Sequence, residues 1–435
     1  MLNSGLDFKT LTGNQVVNAF KYIKGLLQAS KRNIERINEI VPETDYERMQ
    51  HFISSSPWDA RVVFNKIAIE ASELFSSYDK VGLLLDESSH IKKGEESVGV
   101  SRQYSGQLGK VENCQIAVYA ALSVQPFYTL IDTELYLPQS WIDVPVKCKK
   151  AGVPKDRIVH KTKGNLALEI IKRQIALGTR FDWVGGDGFY GNDYQLAKAI
   201  DELGKLFVFE VHSDQNVYLQ NPVIEIPVRQ PGSRGRKPSK LRADAKPTEV
   251  RELIYDTEPK KWKSLVIRRG TKGPLRATVL VQKVYVWDHQ EEEARERLLI
   301  IRKTRTKKGK EEIKYALTNA KEGEFTDLEL AKMLSERYFI ERAFQDAKQE
   351  VGMSEYQVRG WLAWHHHLAL VMKSMMFILR EKVLFNVEKP LLSANDIRYI
   401  MINTYSRKEI TEDGINRQIE LRHKQRLQDQ ANNYK

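Results

Sequence analysis

Three carboxylates stand out by where they fall in the chain. Asp86 closes the apolar run VGLLL, Asp187 lies between glycines in WVGGDGFYG, and Glu341 sits in the stretch ERYFIERAFQDAKQE. Such oxygen ligands suit a hard cation, and three of them around two magnesium ions could activate a water and steady a leaving oxygen in phosphodiester chemistry. Asp86 and Asp187 each follow a short apolar segment that reads as a buried strand, and open mixed sheets bind ligands at the carboxyl ends of such strands. Glycines beside Asp187 would let backbone and ligand approach its carboxylate closely.

The third acid needs a helix to deliver it. Tyr338, Ile340, Phe344 and Ala347 recur at helical intervals, so ERYFIERAFQDAKQE reads as one amphipathic helix with a buried side. With Glu341 as zero on a wheel of about 100° per residue, Leu334, Arg337, Tyr338, Phe344 and Lys348 all fall within about 60° of it. Glu336, Asp346 and Glu350 project to the far side and read as the solvated face. Glu341 is either the third member of a metal-binding set or half of an ordinary helix ion pair with Arg337.

The surrounding chain supplies the scaffold. At 435 residues with 41% hydrophobic content it is long enough for two or three domains. Its net charge of +12 favours a polyanionic partner, nucleic acid above all. Cys114 and Cys148 are the only cysteines, too few for a disulfide framework or a cysteine-based zinc site. The first residues, MLNSGLDFKT, lack the basic-then-apolar pattern of a signal peptide, and no apolar stretch approaches membrane-spanning length. A cytoplasmic, nucleoid-associated protein with no membrane partner is the expectation.

Residues 1–78 read as a helical, DNA-binding domain, with the first pair of a capping box at Thr44 and Glu47. From 79 to 211 the order is three strands, helix, strand, helix, strand, which is that of an RNase H-like mixed-sheet core. Residues 212–320 read as a β-rich insertion entered through VRQPGSRGRKPSKLRADAKP, a basic arm kept extended by proline and glycine. Closing helices of the core are expected at 321–385, and a helical or tail region at 386–435.

With those residues in view, the sequence resembles bacterial insertion-sequence transposases of the DDE superfamily, which have an RNase H-like core and a β-strand insertion before the last catalytic glutamate. The resemblance rests on LLLDESSHIKKG with SVGVSRQYSGQLGKVENCQIAV, on WVGGDGFYG, and on YFIERAFQDAKQEVG with RGWLAWHHHLALVM, and covers about residues 50–380. It implies that Asp86, Asp187 and Glu341 are the catalytic triad and hold two Mg2+ ions, with Mn2+ as a substitute. It further implies nicking at element ends, strand transfer of the 3′-OH into target DNA by cut-and-paste movement, and a homodimer in a synaptic complex on terminal inverted repeats. A tyrosine, arginine, glutamate, lysine signature in these proteins matches Arg337, Glu341 and Lys348, while Leu334 stands in the tyrosine position. Arg337 and Lys348 would then grip phosphates beside the scissile bond.

Further DNA contacts are expected from Lys92, Lys93 and Arg102 after Asp86, and from Arg234, Arg236 and Lys237 of the basic arm. Trp287, with Trp262 and Tyr315, could stack on an extruded base if the ends pass through hairpins. His365, His366 and His367 occupy consecutive helical positions that fan over about 200°, so they cannot form one facial metal site. Two other functions stay open: a DNA-binding protein of this fold that no longer cleaves, and an RNase H-like nuclease without strand transfer.

Overall fold

The computed structural model describes residues 13–228, 236, 238–270, 273–305, 309–409 and 411–433. It begins with four helices, α1 (Gly13–Gln28), α2 (Ile34–Ile40), α3 (Tyr46–Ser54) and α4 (Ala60–Leu74). Asn33, Asp45 and Asp59 cap the last three by accepting backbone N–H groups at their starts. Asp45 therefore takes the capping role expected of Thr44, whose hydroxyl bonds back to the Val41 carbonyl at 2.7 Å.

The core follows as β1 (Gly82–Ile91), β2 (Ser101–Ser105), β3 (Lys110–Val124), β4 (Phe127–Leu135), α5 (Gln139–Ile142), α6 (Pro145–Lys150), α7 (Lys163–Ala176), β5 (Trp183–Gly186), α8 (Gly188–Gly191), α9 (Tyr194–Glu202) and β6 (Leu206–Val211). β1 pairs antiparallel with β3 and parallel with β5, β3 is antiparallel to β4, and β5 is parallel to β6. The resulting order, β4-β3-β1-β5-β6, has the first strand at its centre and is RNase H-like. One strand escaped the sequence reading: β2 lies within what looked like a polar loop and pairs with the outer part of β3.

Four two-residue strands, β7 (Asn216–Val217), β8 (Ile224–Glu225), β9 (Arg242–Ala243) and β10 (Thr248–Glu249), and the short α10 (Leu253–Asp256) lead into a meander. Its strands are β11 (Lys263–Gly270), β12 (Gly273–Val286), β13 (Arg295–Arg305) and β14 (Glu311–Thr318). β14 pairs with β6, Leu317 opposite Phe209, so the insertion prolongs the core sheet to ten strands. Alternation along each strand then divides its side chains. Leu280, Leu299, Ile301 and Leu317 bury a second cluster with Val217, Val250 and Leu253, while Val279, Ile300 and Ala316 join the main core.

The chain closes with α11 (Asp327–Glu336), α12 (Tyr338–Val351), α13 (Trp361–Leu384), α14 (Ala394–Thr404) and α15 (Glu412–Asn433). Residues 13–78 are folded into the core and do not stand apart from it. Leu26 of α1 and Phe64, Ile67 and Ala71 of α4 share one buried cluster with Leu368, Val371 and Met375 of α13. His366 stacks on Trp58 at 3.7 Å between the Ile53 and Trp58 carbonyls, and His367 hydrogen-bonds the Tyr22 hydroxyl at 2.9 Å. Charged groups fasten the same junction. Asp132 of β4, fully buried, meets Arg61 of α4, Arg173 Nε at 2.8 Å and Gln174 Nε2 at 2.7 Å, and Arg173 also reaches Glu134 at 2.7 Å.

Candidate active site

Asp86 does not end its strand, as the apolar run led one to expect. β1 continues to Ile91, and Asp86 stands at mid-strand opposite Tyr119. What ends is the neighbour: the parallel ladder between β1 and β5 stops at Leu84 and Gly185. Asp86 and Asp187 therefore lie level with each other just beyond that ladder. Asp187 caps α8 by accepting the Phe189 N–H at 3.1 Å, and Asp86 accepts the Glu87 N–H at 2.7 Å. Burial, with the Asp187 carboxylate alongside, pushes the Asp86 carboxyl up to about 8 against the opposing pull of Arg337.

The glycines around Asp187 serve packing within the protein. A Cβ on Gly188 would meet the His212 ring at 2.6 Å, and one on Gly191 would meet the Glu210 carbonyl oxygen at 1.8 Å. They let the Asp187 turn lie flat against β6 and the residues that follow it, so the expected approach of a ligand is not their evident purpose. Gly191→Ala should cost more than about 2 kcal/mol, because backbone must move and not a side chain. Urea denaturation compared with wild type measures this, and an unchanged midpoint would remove the packing explanation.

The helix expected over 336–350 is broken. α11 ends at Glu336, α12 starts at Tyr338, and Arg337 lies at the junction. From there its guanidinium spans three acids: Nε is 3.1 Å from Glu210, Nη1 is 3.6 Å from Asp86, and Nη2 is bonded to Glu341. The Glu341 side chain is 49% exposed, against 14% for Asp86 and 17% for Arg337. Both sequence readings of Glu341 thus meet here, since it forms the helix ion pair and that same arginine joins it to Asp86. Lys348, two turns on, donates to Gln107 at 2.7 Å. Burial pulls its amine down to about 8 while Asp86 opposes the fall.

Of the acids assigned to the wet face, Asp346 and Glu350 are buried and Glu336 is half-buried. Glu336 accepts Ser123 Oγ at 2.6 Å and the Gln125 N–H at 3.2 Å, and burial pushes its carboxyl up. Asp346 accepts the Tyr128 hydroxyl at 2.8 Å, and Glu350 accepts Asn395 Nδ2 at 3.2 Å. The reason is that the far side of α12 packs on β4 and α14, and the end of α11 on the end of β3, which offer polar partners, whereas the open side is the cleft itself. Glu341 is exposed because it faces that cleft.

Other expected contacts divide. Lys92 Nζ turns inward, bonded to the Tyr356 carbonyl at 3.0 Å and 3.4 Å from the centre of that ring, so it is not offered to a partner. Trp287 is only 8% exposed and its indole N–H is used by the Glu291 carbonyl at 2.7 Å, which makes it a wall residue and not a free stacking platform. Tyr315 is equally buried, and Trp262 carries Lys303 over its ring at 4.0 Å. Lys93, Arg102 and Arg236 are exposed. Arg234 and Lys237 lie outside the described residues. Leu334 is core, and Tyr338, one turn on, is 42% exposed beneath the Arg268 guanidinium at 4.5 Å. Sequence reasoning missed Glu210, whose only signal is an acid near the end of the buried run LFVFEV, and Gln107, which has none.

Among the described residues no three His, Cys, Asp or Glu side chains are grouped as a metal site. Arg337 supplies the positive charge between Asp86 and Glu341 instead. The donor set still fits a hard divalent cation: it is all oxygen, and Asp86 is crowded against Asp187 with its charge only partly offset.

A family model described as DDE superfamily endonuclease matches residues 15–274, more than half of the chain; that segment holds Asp86 and Asp187 and stops before Glu341. A probable transposase for insertion sequence element IS701 from Microchaete diplosiphon is 29% identical over 207 residues, 46% of this chain and 50% of that protein. The match spans about half the length of that curated relative. A cryo-EM structure of a piggyBac transposase synaptic complex with hairpin DNA aligns over 91% of this chain and 73% of that one, with a TM-score of 0.37 and 10% identity. At that score the fold assignment rests on strand order alone.

Proposed function

Because the chain belongs to the DDE superfamily endonuclease family, we propose that it is a DNA transposase that binds the ends of an insertion sequence, cleaves phosphodiester bonds there and transfers 3′-OH ends into target DNA. Cut-and-paste movement by a homodimer on the terminal inverted repeats belongs to the same reading. The observation that supports it best is the pairing of Asp86 and Asp187 beyond the β1–β5 ladder, with Glu341 joined to Asp86 by one guanidinium.

Asp86, Asp187 and Glu341 would hold magnesium, with manganese as a substitute, and two such ions supply Lewis-acid activation of water and charge neutralisation at the leaving oxygen. The protein's own groups orient the strand. Glu210 holds Arg337 on its Nε side, and Nη1 and Nη2, which lie against Asp86 and Glu341, would turn to two oxygens of one phosphate once those carboxylates hold metal. Lys348, steadied by Gln107, adds a point charge on the same side as Asp86.

The test incubates purified protein and magnesium with supercoiled plasmid carrying the element ends. Glu341→Gln should lose nicking while its melting temperature stays within about a degree of wild type, since a half-exposed ion pair contributes little to stability. Nicking that persists alike in Asp86→Asn, Asp187→Asn and Glu341→Gln would sink the assignment.

A further inference from the structure

The meander turns alternate side chains toward α11 and α12, and its register decides which. Arg302 of β13 stands opposite Lys314 of β14, and Thr304 opposite Glu312, so these four share one face. Glu210 joins them, because it pairs with Ala316, two residues from Lys314. Arg268 arrives by a bulge. Val266 is opposite Arg276 but Arg268 is opposite Leu275, which leaves Ile267 as the extra residue. Without that slip Arg268 would stand opposite Pro274, on the face away from the cleft.

These side chains line a cavity of about 310 Å³ together with Arg337, Tyr338 and Glu341. Its cations are Arg268, Arg302, Lys314 and Arg337, and its carboxylates are Glu210, Glu312 and Glu341, so four charges against three leave one positive charge. Lys314 is paired with Glu210 at 3.1 Å, as is Arg337. Arg302 is different. Among the described residues Glu210 and Glu312 act on it only from a distance without a direct ion pair, its one hydrogen bond goes to Ser335 Oγ at 2.7 Å, and its Nε is buried with no acceptor. A half-buried guanidinium whose Nε is enclosed and unmet, directly opposite a like charge, is stabilised once an anion completes it.

We propose that this cavity is a subsite for one backbone phosphodiester, held by Arg302 and Arg268 on the insertion side of Glu341. The single excess charge matches one phosphodiester, and the carboxylates on the same wall disfavour a more highly charged occupant. This subsite rests on the DNA-transposase reading, and it gives the insertion a direct part in holding the strand.

Fluorescence anisotropy of a labelled duplex carrying the element end, titrated across a KCl series, tests it with wild type, Arg302→Gln, Arg302→Lys and Arg268→Gln. Arg302→Gln should weaken binding about tenfold and reduce the slope of log affinity against log salt by about one. Arg302→Lys should restore the slope while leaving part of the affinity loss. If Arg302→Gln does not fold, Arg268→Gln at the partly exposed mouth decides, with the same expected loss. Wild-type binding with unchanged affinity and slope in both glutamine variants overturns the subsite and leaves the transposase reading standing. A wild type that binds no DNA overturns both.

Discussion

Asp86→Asn should reduce magnesium-dependent nicking by on the order of 10³-fold or more and, in metal-free buffer, raise the melting temperature by a few degrees. The two effects have one origin. A buried carboxylate beside Asp187 is useful for gathering a cation and costly when none is bound. The Asp86 carboxyl is pushed from 3.8 up to about 8, first by burial and then by Asp187. The folded state therefore binds this proton more tightly than the unfolded chain does. Stability is lost as pH rises from near 4 through about 8, and asparagine has no such loss. The stability gap between variant and wild type should open across that window and close below it. Added magnesium should raise the wild-type midpoint and narrow the gap, since only the wild type gains a ligand. Thermal melts against pH, with chelator and with magnesium, measure both trends; a variant less stable than wild type throughout would refute the electrostatic account.

Asp132→Ala should produce the largest loss of stability, about 3–5 kcal/mol. Its carboxylate is fully buried and holds Arg61, Arg173 and Gln174, so removing it takes the central carboxylate from two half-buried guanidiniums and leaves them Glu134 alone. Burial alone would raise this carboxyl, but Arg61 and Arg173 outweigh burial and hold it below the usual range. The folded value is depressed, so its stabilisation is present above the ordinary carboxylate pKa and disappears as pH falls through the lowered value. Equilibrium urea unfolding at neutral pH measures the loss. A change under about 1 kcal/mol would mean that water or Glu134 takes over both arginines.

That Asp86 and Asp187 come together was legible because each follows an apolar run, a pattern set by local burial. The strand order was legible for the same reason, since LLL, CQIAVYAALSV and FVFEV must be inside. What could not be read was which neighbour each polar side chain meets. On a wheel Glu336, Asp346 and Glu350 look solvated, yet Ser123, Tyr128 and Asn395 come from elements far away in sequence and make burial tolerable. Arg337 looked like a phosphate ligand, and only the fold shows Glu210 behind it. Lys92 and Trp287 failed likewise, since the Tyr356 carbonyl and the Glu291 carbonyl that satisfy them are tertiary facts. Arg268 depended on a one-residue bulge that no composition reveals.

The pairing of β14 with β6 bears on how such a protein can be cut and recombined. A strand shared between insertion and core means that deleting residues 212–320 would leave β6 as a raw sheet edge, with the backbone of Val208–Val211 unpaired on that side. It would also take away Lys314, which holds Glu210, which in turn holds Arg337. A trimmed nuclease is therefore not hidden inside this chain. Chimaeras between relatives should keep β6 and β14 from one parent, because that seam and not the domain boundary is the unit of inheritance.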